Sequence, residues 1–499
     1  MKKLLYIVFL SIAVGVAGCK KDYFNLDENP NLPSVSTPGL LLTGALKGTA
    51  QIINTNFSTY GVWVSHYTPS GNYVPNASLF TYNFTNADYQ VWAPLYLNAG
   101  NYDVIEKNST GDPKLANFKA IASIMKAYDF QALVDIYNNV PYSQAFKGID
   151  NISPAYDKGE MIYDDLVKKL DSAIVTIKTA DVTAQKPGTS DIMFQGNMTK
   201  WIKFANTLKL RLLLRQWNLT AKRPALIAAG AATEAEGYID ESASGEVNPG
   251  YANSDSKNGQ QSPYWANFGF DQSNNATSNH EYFRANTYTI DKLNSYKDPR
   301  VRRLYDSLPD GTVKGNFFGD PNARSNATTS AIGPGLLKSA TQNAVILSAS
   351  ESLFLQAEAK VVGVLSGGVA GAKDVYERGI TASFVVLGVP DAVNAAKSYY
   401  QSDEPKANVN FTASAGKEVE AIITQKWIAL TGYNSLEAYN EQRRTGFPSD
   451  LPLSKAAGVL GSTLPSRIFY PSSEYQQNAA NVAKEGTIDR FTSKIFWAK

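Results

Sequence analysis

The segment "IITQKWIALTGYNSLEAYNEQRRTGFP", Ile422–Pro448, predicts two consecutive helices joined by a short turn. Apolar residues surround Trp427 in the first half, which indicates a helix that belongs to the core. The second half is polar and ends at Gly446 and Pro448, two residues that stop helices. Such a helix pair is the unit from which we expect the rest of the chain to be built.

A second helix pair precedes this one. It consists of "SASESLFLQAEAKVVGVL" and "GAKDVYERGITASFVVLG", with Gly367 and Gly368 in the turn between them. Gly379 and Ala382 are small enough to let the two helices pack closely. The pairing is similar to tetratricopeptide units, which repeat about every 34 residues, although the copies here are too degenerate to establish a period.

The N-terminal half has the same helical periodicity. "DPKLANFKAIASIMKAYDFQALVDIY" opens with Asp112 as N-cap and Pro113 at the first helical position. "DKGEMIYDDLVKKLDSAIVTI" has Asp157 and Glu160 at the spacing of a capping box, and "NMTKWIKFANTLKLRLLLRQW" repeats the apolar stripe. These segments predict an all-α scaffold of paired helices.

The first 40 residues have the pattern of an export signal followed by a tether. Lys2 and Lys3 precede the apolar run "LLYIVFLSIAVGVAG", so residues 1–18 are predicted to be a signal peptide. Cys19, the only cysteine of the chain, follows directly in a bacterial lipobox-like context, which predicts lipidation. An ordinary signal peptide with an incidental cysteine is the alternative. The polar residues 19–40 would form the tether.

Composition excludes several classes of function. The formal net charge is +2, and Lys2 and Lys3 account for that excess, so we expect no nucleic-acid partner. The chain has two histidines and no phosphate-binding glycine motif, so we expect neither a metal site nor a cofactor, and no catalytic triad.

Two long stretches, residues 54–101 and 251–288, break the helical pattern. Both combine asparagine, serine and glycine with many aromatic residues, in a chain that holds 28 tyrosines. Loops of this length in a compact protein are functional or disordered, and disordered segments are poor in aromatics. We therefore interpret both stretches as binding loops.

A sugar offers an apolar C–H face, which suits an aromatic ring, and a rim of hydroxyls, which suits amides and guanidinium groups. The candidate rings of the first stretch are Trp63, Tyr73, Tyr82, Trp92 and Tyr96. Those of the second stretch are Tyr264, Trp265, Phe268 and Phe283. The polar candidates are Asn72, Asn267, Asn279 and Arg284.

The chain resembles the SusD/RagB family of outer-membrane lipoproteins, in its SusD-like branch. Beside the lipobox and Ile422–Pro448, the matching segments are "MKAYDFQALVDIYNNVPYSQAF", "WIKFANTLKLRLLLR", "ESLFLQAEA", "YERGITASF" and "RIFYPSSEYQQNAANV". The resemblance runs nearly from end to end. It implies an all-α fold of about four tetratricopeptide-like units with irregular, aromatic-rich loop insertions.

The resemblance also implies a function. Family members are anchored in the outer membrane, face the cell exterior, and deliver oligosaccharides, or sometimes peptides, to a SusC-like TonB-dependent transporter. We expect the same of this chain, as a binding protein and not an enzyme. Residues 41–499 would form one SusD-like domain, with a C-terminal subdomain of about residues 390–499.

Two functions of other classes remain open at this point. A surface glycosidase would need two carboxylates across a cleft, for which Asp88, Asp271 and Glu281 are available in the loops. A tetratricopeptide-type adaptor would bind only proteins. We interpret Arg443 and Arg444 as structural, because guanidinium groups can fix loop carbonyls and carboxylates.

Overall fold

The fold is that of a computed structural model, which describes residues 36–255 and 259–499. The predicted signal peptide, Cys19 and most of the predicted tether lie outside the described residues. The first described helix begins at Pro38, where Thr37 is the N-cap and its side chain accepts a hydrogen bond from the Leu40 amide.

Helices dominate the described chain. The helices of its N-terminal half are α1 (Pro38–Thr55), α2 (Ser58–Trp63), α3 (Ala77–Phe80), α4 (Trp92–Ser109), α5 (Ala116–Tyr137), α6 (Gly159–Lys178), α7 (Met198–Arg215) and α8 (Arg223–Thr233). The C-terminal half has α9 (Pro263–Phe268), α10 (Ser278–Tyr282), α11 (Thr287–Ser295), α12 (Val301–Leu304), α13 (Ala349–Val362), α14 (Gly368–Leu387), α15 (Ala392–Tyr400), α16 (Glu418–Leu430), α17 (Ser435–Thr445), α18 (Ser472–Gln477) and α19 (Ala479–Lys484).

Strands are few and short in the described residues. They are β1 (Tyr67–Pro69), β2 (Gly245–Val247), β3 (Phe283–Ala285) and β4 (Ala344–Leu347). They form two antiparallel pairs, β1 with β3 and β2 with β4. In the first pair Thr68 lies opposite Arg284, which joins two distant parts of the chain.

The scaffold is built by sequential helix packing. α4 packs on α5, α5 on α6, and α6 on α7, while α13 packs on both α14 and α16. α13 and α14 approach closely at Gly379, where an added Cβ would lie 2.9 Å from the Phe354 ring. The all-α, tetratricopeptide-like fold predicted from the sequence is confirmed.

Two local predictions need correction. The first irregular stretch does not extend to residue 101, because Trp92 begins the 18-residue helix α4. Asp157 does not cap α6; its carboxylate instead accepts hydrogen bonds from the Tyr142 and Ser143 amides. The carboxylate therefore stabilises the loop that follows α5.

Buried ion pairs hold the helices around α17 together. Arg444 forms a bidentate pair with Glu358, with both N–O distances at 2.7 Å. Lys426 pairs with Glu441 at 2.9 Å. The structural role predicted for Arg443 and Arg444 is confirmed, because Arg443 donates to the carbonyls of Ser466 and Asp135. Within residues 36–255 and 259–499, no helix has the length and apolarity needed to cross a bilayer.

Candidate functional site

The pairing of β1 with β3 brings the two aromatic-rich stretches together. Pro69 lies opposite Phe283, and beyond it the Ser70 amide donates to the Tyr282 carbonyl at 2.8 Å. Residues from about 58 to 89 and from 278 to 283 therefore face each other across one cleft. The sequence predicts both stretches as binding loops but not their contact, because that contact depends on strand pairing between remote segments.

A third segment, which the sequence analysis does not single out, supports the rim of this cleft. Asn326 Oδ1 accepts a hydrogen bond from Arg284 Nε at 3.0 Å, and the Asn326 backbone N–H donates to Asn72 Oδ1 at 3.2 Å. A Cβ on Gly71 would lie 2.0 Å from the Ala323 carbonyl oxygen, so only glycine permits this approach. Asn72 and Arg284 therefore position the loops.

We call the space between the loops the tyrosine cleft, after Tyr73, Tyr89 and Tyr282 in its lining; its volume is about 660 Å³. That volume lies in the range of small-ligand sites. Hydroxyl and amide groups come from Ser58, Thr59, Asn76, Ser278 and Asn279, and apolar surface comes from Val62, Val74, Leu79 and Phe283. Among the described residues that line it there is no Asp, Glu, Lys or Arg.

The three tyrosines are held by other rings and by hydrogen bonds. Tyr73, which is 38% exposed, meets Tyr282 edge to face with ring centroids 5.2 Å apart. Tyr89 packs on Trp63 at 5.9 Å, and its hydroxyl lies 3.1 Å from Ser78 Oγ. Burial raises the pKa of Tyr89 to about 12 and also raises the pKa of Tyr282. Both phenols therefore stay protonated and can donate as well as accept hydrogen bonds.

Several predicted site residues prove to belong to the core, and the prediction of ligand contact is corrected for them. Trp63 and Tyr82 are fully buried, and their rings pack against each other. Tyr264 and Phe268 are buried together, and the Tyr264 hydroxyl lies 3.0 Å from that of Tyr67. These rings anchor the loops to the helices.

Trp92 and Tyr96 are also structural, since both lie on α4. Trp92 is buried against Tyr137, and the Tyr96 hydroxyl donates to the Pro141 carbonyl at 2.6 Å. Neither lines the tyrosine cleft. Their positions follow from the start of α4 at Trp92, which turns both rings towards the neighbouring helix.

Four of the remaining candidates lie in the tyrosine cleft or contact its lining. Tyr73, Asn279 and Phe283 line it, and Asn267 accepts a hydrogen bond from Asn279 at 2.9 Å. Trp265 does not line it and is partly buried against Phe270. Tyr89 and Tyr282 are missed by the sequence analysis, although both are aromatic residues of the two predicted stretches.

The three loop carboxylates considered for hydrolysis are engaged elsewhere. Asp88 accepts from the amide and hydroxyl of Thr85, and Asp271 accepts from the amides of Ser273 and Asn275. Glu281 pairs with Arg284 at 3.1 Å. None of the three lines the tyrosine cleft.

Another groove, of about 490 Å³, lies between residues 241–246 and the C-terminal half of α14. Arg378 and Glu241 form an exposed bidentate pair at its edge. The described residues that line this groove include no aromatic ring. The tyrosine cleft is therefore the better candidate for recognition of a sugar.

Comparison with known families identifies the chain. The model of the SusD-like family, described as starch-binding and associating with the outer membrane, matches residues 30–471. This chain belongs to that family. The resemblance seen in the sequence is thereby confirmed. No curated protein matches this SusD-like chain.

Solved structures share the SusD-like fold. A chitin-binding protein superposes with a TM-score of 0.74 and 27% identity, over 93% of this chain and 100% of that one. A chitin-binding SusD homologue from Flavobacterium johnsoniae has a TM-score of 0.74 and 23% identity, over 92% and 98% of the two chains. A SusD homologue from Bacteroides uniformis has a TM-score of 0.72 and 24% identity, over 93% and 100%. The last two likenesses show the fold alone.

Proposed function

We propose that this SusD-like protein binds a neutral oligosaccharide in the tyrosine cleft, without turning it over. The observation that carries the proposal is a cleft with three tyrosine rings, hydroxyl and amide groups, and no charged side chain in its described lining. Aromatic faces suit the C–H faces of sugar rings, and the amides and hydroxyls suit their hydroxyl groups. A ligand without charge leaves no ion unpaired in such a site.

Chito-oligosaccharides are the first ligands to test. The chitin-binding protein that is 27% identical to this chain covers nearly its whole length. The N-acetyl group of chitin adds a methyl group and an amide to each sugar. Both fit a lining that combines Val62, Val74 and Leu79 with Asn76 and Asn279.

Delivery to a SusC-like TonB-dependent transporter is the second part of the proposal. Family membership supports it, since the family is described as associating with the outer membrane. Lipidation of Cys19 would hold the protein to the outer leaflet and face it towards the cell exterior. The loops around the tyrosine cleft would then receive the nutrient outside the cell.

Calorimetric titration tests the proposal. Chito-oligosaccharides and cello-oligosaccharides of equal length form a matched pair, because they share a β-1,4 backbone and differ at the acetamido group. We expect saturable binding of at least one neutral oligosaccharide, and loss of affinity in Tyr73→Ala and Tyr282→Ala. Tyr475→Ala is the matched control, since Tyr475 is 40% exposed, lies on α18 and does not line the cleft.

The same titration separates the rival functions. If short peptides bind and no neutral sugar does, the ligand is a peptide and the proposed glycan ligand is wrong. New reducing ends during incubation with an oligosaccharide would indicate a glycosidase. If neither sugars nor peptides bind while the transporter still co-purifies with the protein, the adaptor function would replace ours.

A further inference from the structure

A second, chemically different cavity lies in the C-terminal part of the molecule. Its volume is about 300 Å³, and it is enclosed by the end of α17 and by residues 463–466 and 491–499. We call it the cationic pocket, because Arg443, Lys494 and Lys499 line it together with Thr463, Ser466 and Phe491. No described residue in its lining has a carboxylate side chain.

Arg443 differs from the other buried cations around it. Arg211 pairs with Glu351 at 3.1 Å, and Arg444 pairs with Glu358 at 2.7 Å. Arg443, in contrast, is only 8% exposed and makes no direct ion pair with a carboxylate of the described residues. Burial lowers the pKa of Arg443, and the nearby Asp135 carboxylate offsets only part of that effect. An anion that enters the pocket would therefore stabilise this charge further.

The guanidinium group of Arg443 is positioned by neutral partners. Its Nη1 donates to the Ser466 carbonyl at 2.7 Å, which places it against one wall of the cationic pocket. The ring of Tyr439 lies 4.1 Å from the guanidinium carbon, and the ring of Trp497 lies 5.0 Å from it. Its Nε has no hydrogen-bond acceptor among the described residues.

Lys494 and Lys499 add two more charges. Both are exposed, and neither makes an ion pair within the described part of the chain. The hydroxyl of Thr463 and the backbone of Ser466 supply further polar groups in the same lining. Three cations beside hydroxyl and peptide groups match a tetrahedral oxyanion, whose oxygens each accept several hydrogen bonds.

We propose that the cationic pocket binds a phosphate or sulfate group. The pocket is separate from the tyrosine cleft, with which it shares no lining residue. Its volume is large enough for the oxyanion together with part of the molecule that carries it. Two sources present the same chemistry: a phosphorylated or sulfated sugar, and the phosphate headgroup of a lipid.

Titration of the full chain, extracted in a neutral detergent, tests this inference. The probes are inorganic phosphate and sulfate, with chloride at matched ionic strength as the reference, since salt screens exposed charges. We expect saturable millimolar binding of phosphate or sulfate. Lys494→Gln/Lys499→Gln should weaken that binding by about tenfold, because it removes two of the three charges.

A matched double variant provides the control. Lys168→Gln/Lys186→Gln changes the net charge equally at exposed lysines that do not line the cationic pocket, and should bind phosphate and sulfate as the wild type does. Equal loss in both double variants, or no saturable binding of either anion, would overturn the inference. Arg443→Lys, checked for folding, should also bind more weakly because lysine cannot replace the guanidinium fork.

Two soluble probes then identify the source of the oxyanion. Glucose 6-sulfate represents the sugar, and glycerol 3-phosphate represents the lipid headgroup. A probe that binds more tightly than its own inorganic anion, sulfate or phosphate, makes additional contacts in the cationic pocket. This gain in affinity should disappear in Lys494→Gln/Lys499→Gln. If neither exceeds the inorganic anions and the lysine variant binds all four equally well, the pocket does not recognise this group.

Discussion

The rings of Tyr73 and Tyr282 meet edge to face at 5.2 Å, although they come from two loop insertions that are remote in the sequence. Both rings line the tyrosine cleft. It depends on the β1–β3 pairing, which aligns Pro69 with Phe283 beside the two tyrosines. The geometry leads to the first prediction.

Removal of either ring should weaken oligosaccharide binding. We expect Tyr73→Ala and Tyr282→Ala each to raise Kd by about threefold to tenfold, the loss of one aromatic contact of about 0.5–1.5 kcal/mol. The double variant should show a non-additive loss, because each ring supports the other. Calorimetry measures all three values, with Tyr475→Ala as control. Unchanged affinity in both single variants would contradict the site assignment.

Loss of the buried Glu358 carboxylate should destabilise the fold far more than loss of an exposed one. In Glu358→Gln the Arg444 guanidinium loses a bidentate partner where the side chains are only 3% and 1% exposed. Arg444 keeps its second partner, Glu441, so the cost should be about 2–3 kcal/mol. The matched change is Glu241→Gln, which breaks the bidentate pair to Arg378 at the surface and should cost less than about 1 kcal/mol. Urea unfolding measures both; equal costs would contradict the prediction.

Protonation of His66 should contribute to acid destabilisation. Burial lowers the pKa of His66 from 6.5 to about 3, while its Nε2–H donates to the Trp427 carbonyl at 3.0 Å. The unfolded chain therefore takes up this proton at a higher pH than the folded protein does, and stability is lost as the pH falls below 6.5. Between pH 6.5 and 4.5 the loss from this group should be about 2–3 kcal/mol.

Replacement of this histidine tests the assignment. His66→Gln should reduce the pH dependence of the free energy of unfolding over that interval, whatever its effect on stability at pH 7. His280→Gln is the control, because His280 is only partly buried and should contribute less. If the slopes of His66→Gln and the wild type coincide, His66 is not a titrating group in this range.

Replacement of Cys19 should release the protein from the membrane. A thioether-linked lipid contributes about 0.8 kcal/mol per buried methylene, and serine cannot carry it. We expect Cys19→Ser to move from the membrane fraction to the soluble fraction after cell disruption. Lys20→Ser, which keeps the cysteine, should stay in the membrane fraction. Wild-type protein in the soluble fraction would argue for the ordinary signal peptide, and retention of Cys19→Ser in the membrane fraction would contradict anchoring by a lipid on Cys19.

Much of the fold could be predicted because helices depend on neighbouring residues. The pair α16 and α17 follows from apolar spacing around Trp427 and from the stop at Gly446, and α13 and α14 follow in the same way. Gly379 was predicted at a close helix contact, and Phe354 lies against it. The predicted end of the first loop stretch lies inside α4, because no side-chain cap marks the start of this helix.

The candidate site could be predicted only in part. The sequence indicated the two stretches that form the tyrosine cleft, but not which of their rings would face it. Trp63 and Tyr73 belong to the same predicted stretch, yet Trp63 is buried against Phe84 and Tyr89, whereas Tyr73 is 38% exposed. The contribution of Asn326 to the rim was not predicted, since nothing in its local sequence indicates it.

The sequence by itself determined the helical scaffold and the presence of two aromatic-rich insertions, because helix periodicity, caps and loop composition are local properties. Only the tertiary structure decided which tyrosines form the cleft, and that Arg443, which makes no direct ion pair among the described residues, lines one pocket with Lys494 and Lys499. The exposure of a ring and the pairing of a charge depend on neighbours brought together from distant segments. Burial and ion pairing are therefore consequences of packing, which no local pattern specifies.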